Sequence, residues 1–300
     1  MSEETWHVLG AGAIGGLFAD ALTRVDCDVT LLLRDPAPPG YRELIVERDG
    51  QREQRRVAVS SPSHCRDVSR VLLTTKAYDA VTALQALQPA MAEDCTVLVM
   101  VNGMGIVESL RDSFPNARLY AATTTQGAYR TGHLSLRHAG FGTTRVGSPE
   151  NNRLPGWFDN FSRALPPCDW DDEINTALWA KLAVNCVINP LTAVHRCRNG
   201  ELARDRALRD EVALLCREVA QVSYAAGYTQ TAQNISEQAA QVIADTATNR
   251  SSMLQDVLAD RPTEAPHITG YLLRVAEDHG IPAPRNRALL EAVLAFGKAR

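Results

Sequence analysis

The chain has 300 residues, 45% of them hydrophobic and 22% charged, with a net charge of −4. Such a length allows two domains and a core that needs no staples, and the composition excludes a largely disordered chain. The acidic balance argues against a general nucleic-acid or membrane-surface binder, because phosphate contacts need a basic face, although one local anion pocket stays open. The longest apolar stretches, LAVNCVINPLTAV among them, contain asparagines and fall short of the roughly 20 residues of a membrane span. The start, MSEETWHVLG, has no apolar run ahead of a small-residue cleavage site, so a cytoplasmic protein is expected.

In chain order, WHVLG (6–10), DVTLLL (28–33), RVLLTT (70–75), TVLVMV (96–101) and RLYAATTT (118–125) predict strands. Their unalternated Val and Leu suit strands buried on both faces, as in a parallel sheet. Helices are expected between them at 13–25, 77–88 and 104–114. LIVERDGQREQRRVAV has a DG turn between β-prone flanks and reads as a hairpin or excursion. Two more strands are expected near 134–147. From about residue 170 the periodicity turns helical. The expected architecture is α/β: an N-terminal Rossmann-type doubly wound parallel sheet (1–168) and a C-terminal all-helical domain (169–300). The two prolines of LPPCDW (165–170) bar a helix from running through and mark the boundary.

Gly10-Ala11-Gly12-Ala13-Ile14-Gly15 is a GxGxxG directly after a strand and directly before an apolar helix. The first glycine makes the tight turn, the second lets the backbone approach a pyrophosphate, and the third lets helix and strand pack closely. The helix N-terminus adds positive potential, so the segment predicts dinucleotide binding. Lys76 and Asn102 follow two further strands, at the carboxyl edge where open α/β sheets bind ligands.

The chain holds only three lysines, Lys76, Lys181 and Lys298, against 28 arginines, which draws attention to the lysines. Lys181, Asn185 and Asn189 recur every four residues and share one face of an apolar helix. A charge there is costly unless it faces a counterion or a cleft. Pro190 is expected to bend or end that helix. No GxSxG, HExxH or GxxxxGK[ST] occurs, and no histidine lies beside the seven scattered cysteines at zinc spacing, so no metal is expected. The cysteines read as reduced thiols packed in the core.

GAGAIG, TTKAYD, NGMG, WAKLAVNCVINPLTA, NGEL and SSMLQD…RPTE stand in the order and approximate spacing of the ketopantoate reductase family, which residues 6–275 resemble. The resemblance implies NADPH-dependent reduction of 2-dehydropantoate to pantoate by a monomer or homodimer. It implies Lys181 as the catalytic lysine, with Asn102, Asn185, Asn189, Asn199 and Ser252 contacting substrate. It implies Gly10 to Gly15, Lys76, Asn102, Ala128 and Glu264 on the cofactor side. TEAP replaces the family's usual TEID, and Thr269 stands where Asn is usual, which bears on substrate selectivity.

The chemistry is consistent. Hydride addition to a ketone develops an alkoxide, and a lysine ammonium supplies both a positive charge and a proton. Glu264 either keeps Lys181 charged or anchors a ribose. Arg34 ends the DVTLLL strand and Asp35 follows it, about 20 residues past the glycines, where an acid reads a ribose hydroxyl and an arginine a 2′-phosphate. Neighbours on an extended segment point to opposite sides, and the strand alternation favours Arg34 as the reader. Two alternatives stay open: a same-fold reductase of another branched 2-oxo acid or β-hydroxy acid, and a non-catalytic NADPH sensor.

Overall fold

The computed structural model describes residues 5–34, 38–150 and 153–298. The chain forms two compact units. The first runs to Val101 and resumes over Ile106–Asn175, while the second comprises Asn102–Gly105 and everything from Thr176.

Among the described residues the first unit carries eleven strands: β1 (Trp6–Leu9), β2 (Val29–Leu32), β3 (Gly40–Arg48), β4 (Gln51–Ser60), β5 (Val68–Leu73), β6 (Met91–Val99), β7 (Arg118–Thr124), β8 (Gly127–Gly132), β9 (Ser135–Gly140), β10 (Thr144–Gly147) and β11 (Cys168–Trp170). They form one sheet in the order β11-β10-β7-β6-β5-β1-β2-β4-β3-β9-β8. The block from β7 to β4 is parallel throughout. The chain's helices are α1 (Ala13–Arg24), α2 (Ala80–Leu87), α3 (Ile106–Ser113), α4 (Phe158–Ala164), α5 (Ile174–His195), α6 (Glu201–Arg204), α7 (Arg206–Ala225), α8 (Thr229–Asp245), α9 (Ser252–Leu258), α10 (Thr269–Asp278) and α11 (Pro284–Lys298).

Strand alternation builds two cores. Val8, Leu31, Leu72 and Leu98 pack with α1 and α4, whereas their neighbours Leu9, Leu32, Leu73 and Val99 pack with α2 and α3. Both faces are therefore covered, as the unalternated apolar strands predict. The DG excursion is the β3–β4 hairpin, turning at Asp49 and Gly50, both at positive φ. It is tied back to α1 by Asp20, which is fully buried and ion-paired to Arg24, Arg48 and Arg55. Burial pushes the Asp20 carboxyl up, but these arginines outweigh it and hold it below its usual range.

Several local expectations shift. The chain stays in the sheet through LPPCDW, because Cys168–Trp170 pairs with β10, and helix resumes only at Ile174. Strand β8 and helix α4 carry no strong period in sequence and were not expected. Pro190 does not end its helix: α5 continues to His195, with Leu191 and Ala193 buried beyond it. A proline removes one helical hydrogen bond, and burial of the following turn offsets that loss. At 22 residues, α5 is also long and apolar enough to cross a membrane by length and composition, contrary to the shorter reading, yet 61% of its apolar window is buried. From Thr176 onward the described residues contain no strand. None of the seven cysteines is in a disulfide, and six are buried.

Candidate functional site

The glycine turn is built by close approach. Gly10 has φ +114°, and a Cβ there would lie 2.6 Å from the Thr75 nitrogen. Only glycine adopts that conformation without strain. The Thr74 hydroxyl and the Gly12 amide both donate to the Gly10 carbonyl, at 2.8 and 2.7 Å. A Cβ on Gly15 would lie 2.1 Å from the same oxygen, so α1 sits directly on the turn. Gly12 differs, since a Cβ on it would meet nothing within 4 Å. Its backbone faces open space at the start of a helix that has no side-chain cap. Beside the turn, Thr75 Oγ1 is buried without a hydrogen-bond partner. An uncapped helix start, an open glycine and an orphaned hydroxyl together fit a dinucleotide phosphate.

The other residues of this unit expected on the cofactor side follow the two strands beside β1 or stand in β8. Lys76 is half-buried three residues past the end of β5, the strand next to β1. Arg34 lies just past β2, on the other side of β1, with its side chain 93% exposed and Nη2 3.1 Å from Asp79 Oδ2. Asp35 lies outside the described residues. Ala128 sits in β8 and packs with the core that contains Leu17 and Phe18 of α1.

The second unit gathers the polar groups expected to meet substrate. Lys181 lies on α5, a helix anchored where Trp179 donates to the Ser223 hydroxyl and stacks on Tyr228. Asn185, one turn on, is half-buried and Asn189 is buried. The carboxylate of buried Glu264 acts electrostatically on Lys181. Burial lowers the lysine's pKa to about 8, and Glu264 opposes that shift. Asn102 Nδ2 donates to Glu264 Oε2 at 3.3 Å. The NGMG loop is fixed there by Gly103, at φ +95°, whose Cβ would strike the His267 carbonyl, and by the Met104 amide, which donates to that carbonyl. The structure thus brings Lys181, Asn102 and Glu264 into one cluster, with Asn185 and Asn189 continuing the stripe along α5.

Asn199 and Ser252 stand in other surroundings. Asn199 is buried, donates its amide to the Thr246 hydroxyl and leaves Oδ1 without a partner. Ser252 is the exposed first residue of α9, while Ser251 caps that helix by accepting from Leu254 N. Three participants were not singled out in sequence: Asp79, Thr75 and His267. Asp79 and Thr75 flank Lys76 within TTKAYD and were legible by position. His267 acts through its backbone carbonyl, which residue type does not signal.

An ammonium whose pKa burial lowers to about 8, beside a carboxylate and amides that both donate and accept, can bind an oxo acid and deliver a proton. Residues 6–151 match the family model described as ketopantoate reductase PanE/ApbA, and residues 173–296 match its C-terminal model. The 2-dehydropantoate 2-reductase of Vibrio cholerae is 39% identical over 289 residues, covering 95% of each chain. That of Halobacterium salinarum is 32% identical, covering 95% of this chain and 96% of the other. The crystal structure of a PanE/ApbA family ketopantoate reductase from Ralstonia eutropha aligns with TM-score 0.84 at 27% identity, covering 98% of each chain. On these matches, which span nearly its whole length, the chain belongs to the ketopantoate reductase family.

Proposed function

We propose that the protein is an NADPH-dependent 2-dehydropantoate 2-reductase, reducing the ketone of ketopantoate to the alcohol of pantoate. The observation that carries this reading is Lys181 on an apolar helix, with a pKa near 8, in the same cluster as Glu264 and Asn102. The name shared by relatives at 39% and 32% identity supports the substrate.

The turn at Gly10, Gly12 and Gly15, with Lys76 and Arg34, would hold a reduced nicotinamide dinucleotide. Such a cofactor, when bound, would supply the hydride for reduction of a ketone. Lys181 holds its ammonium at the carbonyl oxygen, stabilises the charge that develops on it and donates the proton that completes the hydroxyl. Asn102, Asn185 and Asn189 would orient the oxo acid through amide hydrogen bonds. Arg34 would grip the adenosine 2′-phosphate, which supports NADPH as the cofactor.

A second reading, a reductase of another branched 2-oxo acid, draws on one local feature. Two residues past Glu264 stands Pro266, and Thr269, in place of the usual Asn, is buried beside the Cys186 thiol of α5. A panel of 2-oxo acids at fixed NADPH, followed by loss of the reduced-nicotinamide absorbance, separates the two. Ketopantoate giving the highest kcat/KM supports the first reading. Turnover with another acid but not with ketopantoate overturns it.

A further inference from the structure

We propose that Asp79 sets the cofactor preference by competing with the 2′-phosphate for Arg34, so that discrimination between NADPH and NADH is narrow. The inference rests on the reading of Arg34 as the phosphate-binding residue. The Arg34–Asp79 pair joins the carboxyl ends of β2 and β5, the two strands that flank β1 and its glycine turn. Asp79 ends the helical turn 77–79 that runs into α2, and its side chain makes no bond to that helix. Its carboxylate is turned to Arg34 instead.

That geometry has opposite consequences for the two cofactors. A 2′-phosphate and the Asp79 carboxylate are both anions seeking one guanidinium. NADPH therefore binds by displacing Asp79, and the displaced carboxylate stays beside the phosphate, where like charges repel. NADH makes no such demand. The pair survives, because an uncharged ribose hydroxyl neither competes for Arg34 nor repels the Asp79 carboxylate. Exposed ion pairs are weak, so displacement is possible but not without cost. With Arg34 exposed, Asp79 acts as a brake on phosphate selectivity rather than a block.

The test reads binding by calorimetry, with NADPH, NADH, 2′,5′-ADP and 5′-ADP on the full-length protein and its variants. Asp79→Asn keeps the shape and removes the charge. It is expected to tighten NADPH and 2′,5′-ADP by roughly three- to tenfold while leaving NADH and 5′-ADP unchanged or weaker, the size of effect that one nearby charge exerts. In an Arg34→Ala background the same substitution should gain much less, since the competition needs the arginine. If Arg34→Ala selectively weakens 2′,5′-ADP but Asp79→Asn leaves the 2′,5′-ADP to 5′-ADP ratio within about twofold, Asp79 is no competitor and this inference alone fails. If Arg34→Ala affects both nucleotides equally, the phosphate-reading role of Arg34 fails and takes the inference with it.

Discussion

Asn102 Nδ2 reaches Glu264 Oε2 at 3.3 Å, joining two residues 162 positions apart. Glu264 is 4% exposed and also acts on Lys181, so one carboxylate serves both the NGMG loop and the α5 stripe. A buried carboxylate needs such partners, because an unpaired charge in a dry site is costly. The cluster is therefore maintained by mutual need, and its members report on one another in mutation.

The rate of ketone reduction should fall as pH rises through about 8, where Lys181 loses its proton. The sign follows from burial, which lowers the lysine pKa and brings the loss of the donor close to neutrality. Lys181→Ala should lower kcat by roughly 10²–10⁴-fold and abolish this alkaline limb, with little change in NADPH dissociation constant. Steady-state pH profiles check both, and near-native turnover in the variant would remove Lys181 from the mechanism.

Glu264→Gln separates the two roles open to that acid. Glu264 favours the charged lysine, so its neutralisation should move the alkaline limb to lower pH, each unit of movement costing roughly tenfold in rate above the limb. A ribose anchor would instead weaken NADPH binding and leave the limb in place. Profiles of kcat and direct NADPH titrations on the same variant distinguish these outcomes.

Two glycines of the turn should respond differently to alanine. At Gly15 the new methyl would meet the Gly10 carbonyl at 2.1 Å and Thr74 Oγ1 at 2.5 Å. A cost of about 1–3 kcal/mol and a Tm lower by several degrees are expected, whatever the ligand. At Gly12 the methyl meets only open space, so the apo protein should melt unchanged. Its NADPH affinity should nevertheless drop by roughly tenfold or more, because the methyl occupies the approach to the pyrophosphate. Normal binding by Gly12→Ala would mean that the cofactor does not lie on this turn.

Glu218, far along the sequence from the motif residues, should prove a stability determinant. Buried on α7, it accepts from the backbone amides of Arg285 and Asn286 and from Asn286 Nδ2, at 2.9, 3.0 and 2.9 Å. It thereby satisfies the opening turn of α11 from a neighbouring helix. Glu218→Ala should cost on the order of 2–4 kcal/mol by stranding these donors. Glu218→Gln should recover only part of that, because its NH2 confronts amides that also donate. Urea denaturation checks the loss, and kcat per folded molecule should stay unchanged.

The buried parallel strands and the glycine turn were readable in sequence because period and residue type are local signals. So was the Lys181 stripe, whose spacing of four survives as one face of α5. Of the two outcomes expected at Pro190, an end to the helix does not occur, because its local cost is overridden by packing along the rest of α5, which no single-residue rule weighs. Strand β11 was hidden for a related reason: three residues after two prolines carry no period, and their pairing partner is set by the register of β10. The Arg34–Asp79 pair escaped because the two residues are 45 positions apart and meet only once the sheet order is known.

Residues Asn102–Gly105 belong to the helical unit although sheet strands both precede and follow them. A chimera of two relatives joined near residue 175 would consequently inherit its NGMG loop from one parent and the 264–267 segment from the other. Gly103 fits against the His267 carbonyl with no space for a Cβ, so the loop and the 264–267 segment have to keep matched backbone positions. Recombinants that exchange the loop together with the carboxyl-terminal half should fold and turn over more often than those that break at one seam.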